Sequence, residues 1–181
     1  ICMAALGLAL MAPLLAIISV LIKLDSQGPV IFRQIRVGQG FRPFAIQKFR
    51  TMVVDAPGTG LPLTVGQDSR ITRIGGILRK CKLDELPQLW NVLVGDMSFV
   101  GPRPEVPRYV ERLRSEFSEV LTVRPGITDL ASLRYIDEAS ILAYSSNPEE
   151  EYQLKVLPEK IRLAKFYIRH MSLRLDLAII M

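Results

Sequence analysis

Histidine and cysteine are almost missing from this sequence, and both absences narrow what it can do. Its 181 residues include one His and two Cys. Cys2 and Cys81 lie far apart, with no neighbours at metal-ligand spacing. A disulfide framework and a clustered Cys/His zinc site are therefore excluded, and a reducing compartment fits. His170 belongs to no nucleophile–base constellation and reads as a surface or interfacial residue. Aromatics make up 7% of the chain and few fall in its basic stretches, which counts against a nucleic-acid-binding module. No internal repeat occurs.

A third absence is local. Residues 1–22 contain no charge, and Ser19 is their one polar side chain. As a straight helix they would reach roughly 33 Å, enough to cross a bilayer. Three readings compete: a cleaved signal peptide, a straight membrane span, and a helix broken at Pro13. A signal peptide fits poorly, because the run is long and no basic region precedes it. A break at Pro13 follows from the lost N–H and the resulting kink, and would let the segment enter and leave by one face. Lys23 and the bases after it make the C-terminal flank cytoplasmic and attract anionic lipid. The chain starts with Ile and stops in an apolar run, so it reads as trimmed at both ends.

What is present is positive charge, unevenly spread. Net charge is +5, favouring phosphorylated ligands, anionic lipid or nucleic acid. Residues 23–50 hold six bases and one acid, residues 68–82 five bases and one acid, and residues 137–151 five acids and no base. The positive field therefore adjoins the apolar segment and precedes Lys82-Leu83-Asp84-Glu85-Leu86-Pro87-Gln88-Leu89-Trp90-Asn91. Asp84 and Glu85 repel each other as neighbours, and a fold tolerates them when cations, a metal ion or a helix N-terminus offset the repulsion. Pro87 suits a helix's first turn, which places the pair at or just before a helix start, with Leu86, Leu89, Trp90 and Leu93 on its core face. Capping of that helix by Asp84 is the plain structural alternative; it accounts for one acid and not for two. Phosphate chemistry with a divalent metal accounts for both.

The remaining pattern is α+β and mainly helical. Gly28-Pro29 is a break. Residues 30–37 and 41–49 read as strands of an antiparallel β-hairpin about a Gly38-Gln39-Gly40 turn, with Lys48 and Arg50 on one face by alternation. Residues 55–67, with three Gly and two Pro, read as a loop of the kind that covers active sites. Residues 71–82 suggest an amphipathic helix exposing Arg70, Arg73, Arg79 and Lys80. Arg103 sits between Pro102 and Pro104, a stiff setting suited to bidentate phosphate binding; pairing with Asp96 is the structural alternative. Residues 107–120 read as a polar helix and Arg124-Pro125-Gly126-Ile127-Thr128 as a second rigid turn. A long helix over 149–170 follows, then an amphipathic helix over 172–181 that sets Asp176 among apolar residues.

Together these stretches resemble the bacterial sugar transferases of the monotopic phosphoglycosyl transferase superfamily. The match runs through the apolar segment with Pro13, Gly28-Pro29-Val30-Ile31-Phe32, Lys48-Phe49-Arg50-Thr51-Met52, Leu83 to Leu93, Gly95 to Pro104 and Arg124-Pro125-Gly126-Ile127-Thr128. The resemblance implies transfer of a phosphosugar from a UDP-sugar to polyprenyl (undecaprenyl) phosphate, releasing UMP, as the first membrane step of a glycoconjugate such as exopolysaccharide or O-antigen. It implies Asp84 as nucleophile through a covalent phosphosugar intermediate, hence ping-pong kinetics, and Glu85 with Asp84 on Mg²⁺, with Mn²⁺ as the substitute ion. It implies a re-entrant helix over 1–23 broken at Pro13. A catalytic domain over 24–181 then lies on the cytoplasmic face of the bacterial inner membrane, its site ringed by interfacial helices. Lys48, Arg79, Arg103 and Arg124 are candidates for the substrate phosphates, and Asp176 for a further place in the site. Membrane lipid is an expected partner and nucleic acid is not; a homodimer is carried as an expectation without a sequence signal. After Thr128 the chain reads Asp129-Leu130-Ala131-Ser132, where many members of the superfamily have Gly-Trp-Ala-Gln, so no sugar is inferred. A membrane-surface scaffold and a nucleic-acid binder are the competing classes, and neither uses the Asp84-Glu85 pair.

Overall fold

The computed structural model describes residues 1–54, 68–136 and 138–181. The loop expected over residues 55–67 lies outside the described residues. The fold is α+β and mainly helical, with a short antiparallel strand pair. It divides into two compact units, Ile1–Gln34 with Ala45–Gly95, and Ile35–Phe44 with Asp96–Met181. The hairpin thus contributes its base to the first unit and its tip to the second.

In the first unit the apolar run forms α1, Cys2–Asp25. The helix does not break at the proline expected to interrupt it: Pro13 lies inside one continuous helix. Proline deletes one N–H donor, a loss a long helix absorbs by bending locally. By length and composition α1 can cross a membrane, and little of it is buried. Ala4, Ile18 and Ile22 face inward while Met3, Leu6, Leu10, Ile17, Val20 and Leu24 are exposed. Ile18 and Ile22 form a core with Phe49 and Leu78, against which Leu14, Leu15, Val30, Ile31, Ile74, Leu83 and Leu86 pack.

The carbonyls at and just past the C-cap of α1 are taken up by one buried side chain. Arg50 donates to Ser26 O and Gln27 O, each at 2.6 Å, and to Ser26 Oγ at 2.9 Å. Helix ends leave such carbonyls without intrahelical partners, so Arg50 is a structural cap. It follows β2 (Pro43–Phe49), which pairs with β1 (Ile31–Val37) across a 3₁₀ turn at Gln39–Phe41. Helix α2, Arg73–Lys80, starts with Thr72 Oγ1 accepting from the Gly75 N–H at 3.0 Å. A Cβ on Gly75 would fall 2.1 Å from Thr51 O, so α2 packs directly on the backbone after β2. Helix α3 spans Gln88–Val94 and ends at Gly95, whose φ of 90° suits glycine.

In the second unit the two turns expected around Arg103 and Arg124 carry a parallel strand pair, β3 (Ser98–Val100) and β4 (Gly126–Thr128), in register Ser98↔Gly126 and Val100↔Thr128. Strands of three residues are too short to show alternation, which is why sequence reading saw only turns. The helix expected over 107–120 is instead two, α4 (Pro107–Arg112) and α5 (Arg114–Val120), separated where Leu113 leaves helical geometry at φ −118°, ψ 39°. After α6 (Leu130–Arg134) and α7 (Glu138–Ala143), the expected long helix is realised as α8 (Pro148–Glu151), a π-helical turn over Tyr152–Val156, and α9 (Leu157–Arg169). The last helix, α10, is Leu173–Ile180, capped by Ser172 Oγ accepting from the Leu175 N–H. Val100, Tyr167 and Ile179 form a core with Phe99, Leu130, Ile168 and Leu175 against it.

Candidate active site

The carboxylate pair occupies a 3₁₀ turn, Leu83–Glu85, entered through Lys82 in the left-handed conformation at φ 57°. The turn is fixed on both sides, because Leu83 and Leu86 pack against the Ile18–Ile22–Phe49–Leu78 core. Two leucines one turn apart thus draw the residues between them inward. Asp84 is buried, at 8% exposure, and Glu85 is half-buried.

Lys48, near the end of β2, reaches the pair: its Nζ lies 2.6 Å from Glu85 Oε1. Arg79 comes from α2, its Nε donating to Thr51 Oγ1 at 2.8 Å. Burial pushes the Asp84 carboxyl above its ordinary range; Lys48 opposes that, Glu85 adds to it, and Arg79 and Lys82 oppose it again. Burial pulls the Arg79 guanidinium down, against the fields of Asp84 and Asp68. The site is therefore a buried acid beside a second acid, with cations on more than one side. It suits a ligand that brings negative charge and hard-metal coordination with it.

Two expectations for this region are corrected. Arg79 and Arg70 are not on an exposed basic face: both are half-buried, and Arg70 forks onto Asp68 through Nε and Nη2. Of the expected core residues Leu86, Leu89, Trp90 and Leu93, Leu86 packs on the core and Leu89 and Leu93 are half-buried, but Trp90 is 49% exposed; the fully buried residues of α3 are Gln88, Asn91 and Val92. Asn91 is there for a reason the sequence does not show. Its Oδ1 accepts from the Gln47 N–H at 3.0 Å and its Nδ2 donates to Ala45 O at 2.9 Å. It replaces a missing strand neighbour on β2 and so fixes the backbone beside Lys48. A buried Asn on a helix facing a strand edge was the available signal.

Lys48, Arg79, Asp84 and Glu85 thus come together in the first unit. Arg103, Arg124 and Asp176 belong to the second. Arg103 is half-buried and Arg124 exposed, and the Arg103 N–H donates to Asp129 Oδ2 at 3.3 Å. Asp176 accepts from Tyr167 Oη at 2.7 Å; burial first, and then Asp176, raise that phenol's pKa.

Among the described residues no three His, Cys, Asp or Glu side chains converge as a metal cage. The oxygen donors of Asp84 and Glu85 nevertheless fit Mg²⁺, which takes one or two carboxylates and completes its shell with water and substrate phosphate.

The bacterial sugar transferase family matches residues 1–181. The chain belongs to that family. Among curated relatives it is 38% identical over 180 residues to a UDP-N-acetylgalactosamine-undecaprenyl-phosphate N-acetylgalactosaminephosphotransferase of Aeromonas hydrophila, covering 98% of this chain and 40% of the relative. It is 48% identical over 134 residues to a UDP-glucose:undecaprenyl-phosphate glucose-1-phosphate transferase of Caulobacter vibrioides, covering 72% and 50%. A protein of the same description from Escherichia coli is 36% identical over 181 residues, covering 98% and 37%. The chain therefore spans half or less of the length of these three family members.

Proposed function

We propose that the chain transfers a phosphosugar from a UDP-sugar to polyprenyl phosphate, with undecaprenyl phosphate as the acceptor, through a covalent intermediate on Asp84. In the first half-reaction an Asp84 carboxylate oxygen forms a bond to the sugar-bearing phosphorus, and the bond from that phosphorus to the UMP oxygen breaks. In the second, a phosphate oxygen of the polyprenyl acceptor attacks the same phosphorus and Asp84 leaves. The products are UMP and polyprenyl diphosphate sugar.

The observation that carries this reading is the turn itself: a buried Asp84, its neighbour Glu85 held 2.6 Å from Lys48, and Arg79 close enough to act on it. Phosphoryl transfer needs positioning and positive charge more than covalent help from the protein. Lys48 orients Glu85, and Arg79 supplies fixed charge beside the nucleophile. Mg²⁺ bound by Asp84 and Glu85 would neutralise the diphosphate and stabilise departing UMP. Arg103 and Arg124 are assigned to substrate phosphate, and Asp176 to a secondary place. The exposed apolar side of α1 supports insertion into the bacterial cytoplasmic membrane, with the carboxylates on the cytoplasmic face.

The test is UMP release from a panel of UDP-sugars with Mg²⁺ and undecaprenyl phosphate. Wild type should release UMP, and chelation or Asp84→Asn should abolish it. Labelled UDP-sugar should leave a labelled protein when acceptor is withheld. Retained turnover in Asp84→Asn, or initial-rate lines that intersect instead of running parallel, would sink the covalent route.

A further inference from the structure

The turn that carries Arg103 is clamped from several directions. The Arg103 N–H donates to Asp129 Oδ2 at 3.3 Å. Pro104 O accepts from Arg36 Nη1 at 3.1 Å, and Glu105 O accepts from the Val37 N–H at 3.0 Å. The Glu105 carboxylate accepts from Tyr152 Oη at 2.5 Å. Pro102 and Pro104 fix φ on either side of Arg103. Of these contacts, the one from Asp129 falls on Arg103's own backbone.

Asp129 is buried at 6% exposure, and its two oxygens serve two segments. Oδ1 accepts from the Ser132 N–H at 2.7 Å, capping α6, while Oδ2 takes the Arg103 amide. Arg103 and Asp129 also line one small cavity, together with Glu105 and Lys160. Burying a carboxylate is costly unless donors satisfy it. Capping α6 alone does not require that cost, because Ser caps a helix about as well. What a carboxylate adds is a second oxygen, able to tie the cap to another stretch of chain. Asp129 is also the position at which this chain leaves the commonest pattern of the superfamily it resembles.

We propose that Asp129 is a positioning residue for Arg103, setting the Arg-bearing turn to receive the diphosphate of a nucleoside diphosphate. This rests on the assignment of Arg103 to substrate phosphate made above. Preorganised contacts of this kind give affinity by removing the cost of ordering the ligand-binding group.

The experiment is a double-mutant cycle on affinity for UDP, titrated with Mg²⁺ against the full membrane-inserted chain. Asp129→Ser keeps the cap and loses the bridge. It should melt like wild type yet bind UDP about tenfold more weakly, a loss within the range that misplacement of a site group produces. Arg103→Ala should lose at least as much, and Asp129→Ser should add nothing in that background. A residue that merely caps α6 is replaced by Ser without loss of UDP affinity; that result, or losses that multiply in the double variant, overturns the proposal. The transferase reading fails separately. UMP release by wild type that Asp84→Asn abolishes upholds it even if the cycle multiplies. A wild-type chain that neither binds UDP nor releases UMP overturns both.

Discussion

Two buried aspartates, one in each unit, are treated in opposite ways. Asp129 is capped by two backbone amides at 2.7 and 3.3 Å, and its charge is used up in holding segments together. Asp84 is nearly as buried, but what acts on it is desolvation and charge: burial raises its pKa, with Lys48 foremost among the cations that resist. A satisfied carboxylate stabilises its surroundings. A desolvated one without such donors destabilises them, which makes Asp84 a candidate for chemistry.

Removing each charge should therefore have opposite signs, and the largest effect is on rate. Asp84→Asn should lower UMP release at least ~10³-fold, as loss of a nucleophile does, while raising the melting temperature by about 2–4 °C if roughly 1 kcal/mol is recovered. The pH dependence gives the sign independently. With its pKa raised on folding, Asp84 retains a proton in the native state that the unfolded chain has released. Its contribution to stability is most favourable below the unfolded value and declines as pH rises toward the folded one. Thermal melts of wild type and Asp84→Asn across that window should diverge upward; parallel curves would break the contrast.

Arg50 extends the comparison to a buried cation whose two Nη groups are held by carbonyls. Arg50→Met should cost about 2–3 kcal/mol, because charged hydrogen bonds to the end of α1 are lost together, and urea unfolding in detergent should show it. Lys48→Met sharpens the other side. It removes the foremost cation resisting the rise in Asp84, so the acidic limb of the pH–rate profile should move to higher pH, with UMP release down roughly tenfold at neutral pH. Asp129→Ala is the smallest change: a loss of about 1 kcal/mol for the missing cap, read as a lower melting temperature where Asp84→Asn raises it.

The sequence made the hairpin, the acid turn before α3 and the closing amphipathic helix legible, since each has a local signature: alternation, Pro in a first turn, apolar spacing. Long-range decisions were not legible. Nothing in Arg50 distinguishes it from Lys48 until the end of α1 arrives beside it. Trp90 and Asn91 exchange the roles that hydrophobicity alone assigns, because β2 needs hydrogen bonds from α3 more than it needs another apolar contact. β3 and β4 hide inside glycine- and proline-rich segments for a similar reason. A Cβ on Gly126 would sit 2.1 Å from the backbone nitrogen of Gly101, so residues that read as turn formers are there to let two strands touch.

Lys48, Phe49 and Arg50 are consecutive, and they face three masters: Lys48 the Glu85 carboxylate, Phe49 the core beneath α1, Arg50 the carbonyls at and just past the end of α1. That tripeptide works as a height gauge. It couples the end of the long apolar helix to the carboxylate pair through a single stretch of backbone, so the distance between the two is set in the fold itself. Under the reaction proposed above, an acceptor phosphate held at the headgroup level would meet Asp84 by diffusing sideways, in two dimensions instead of three.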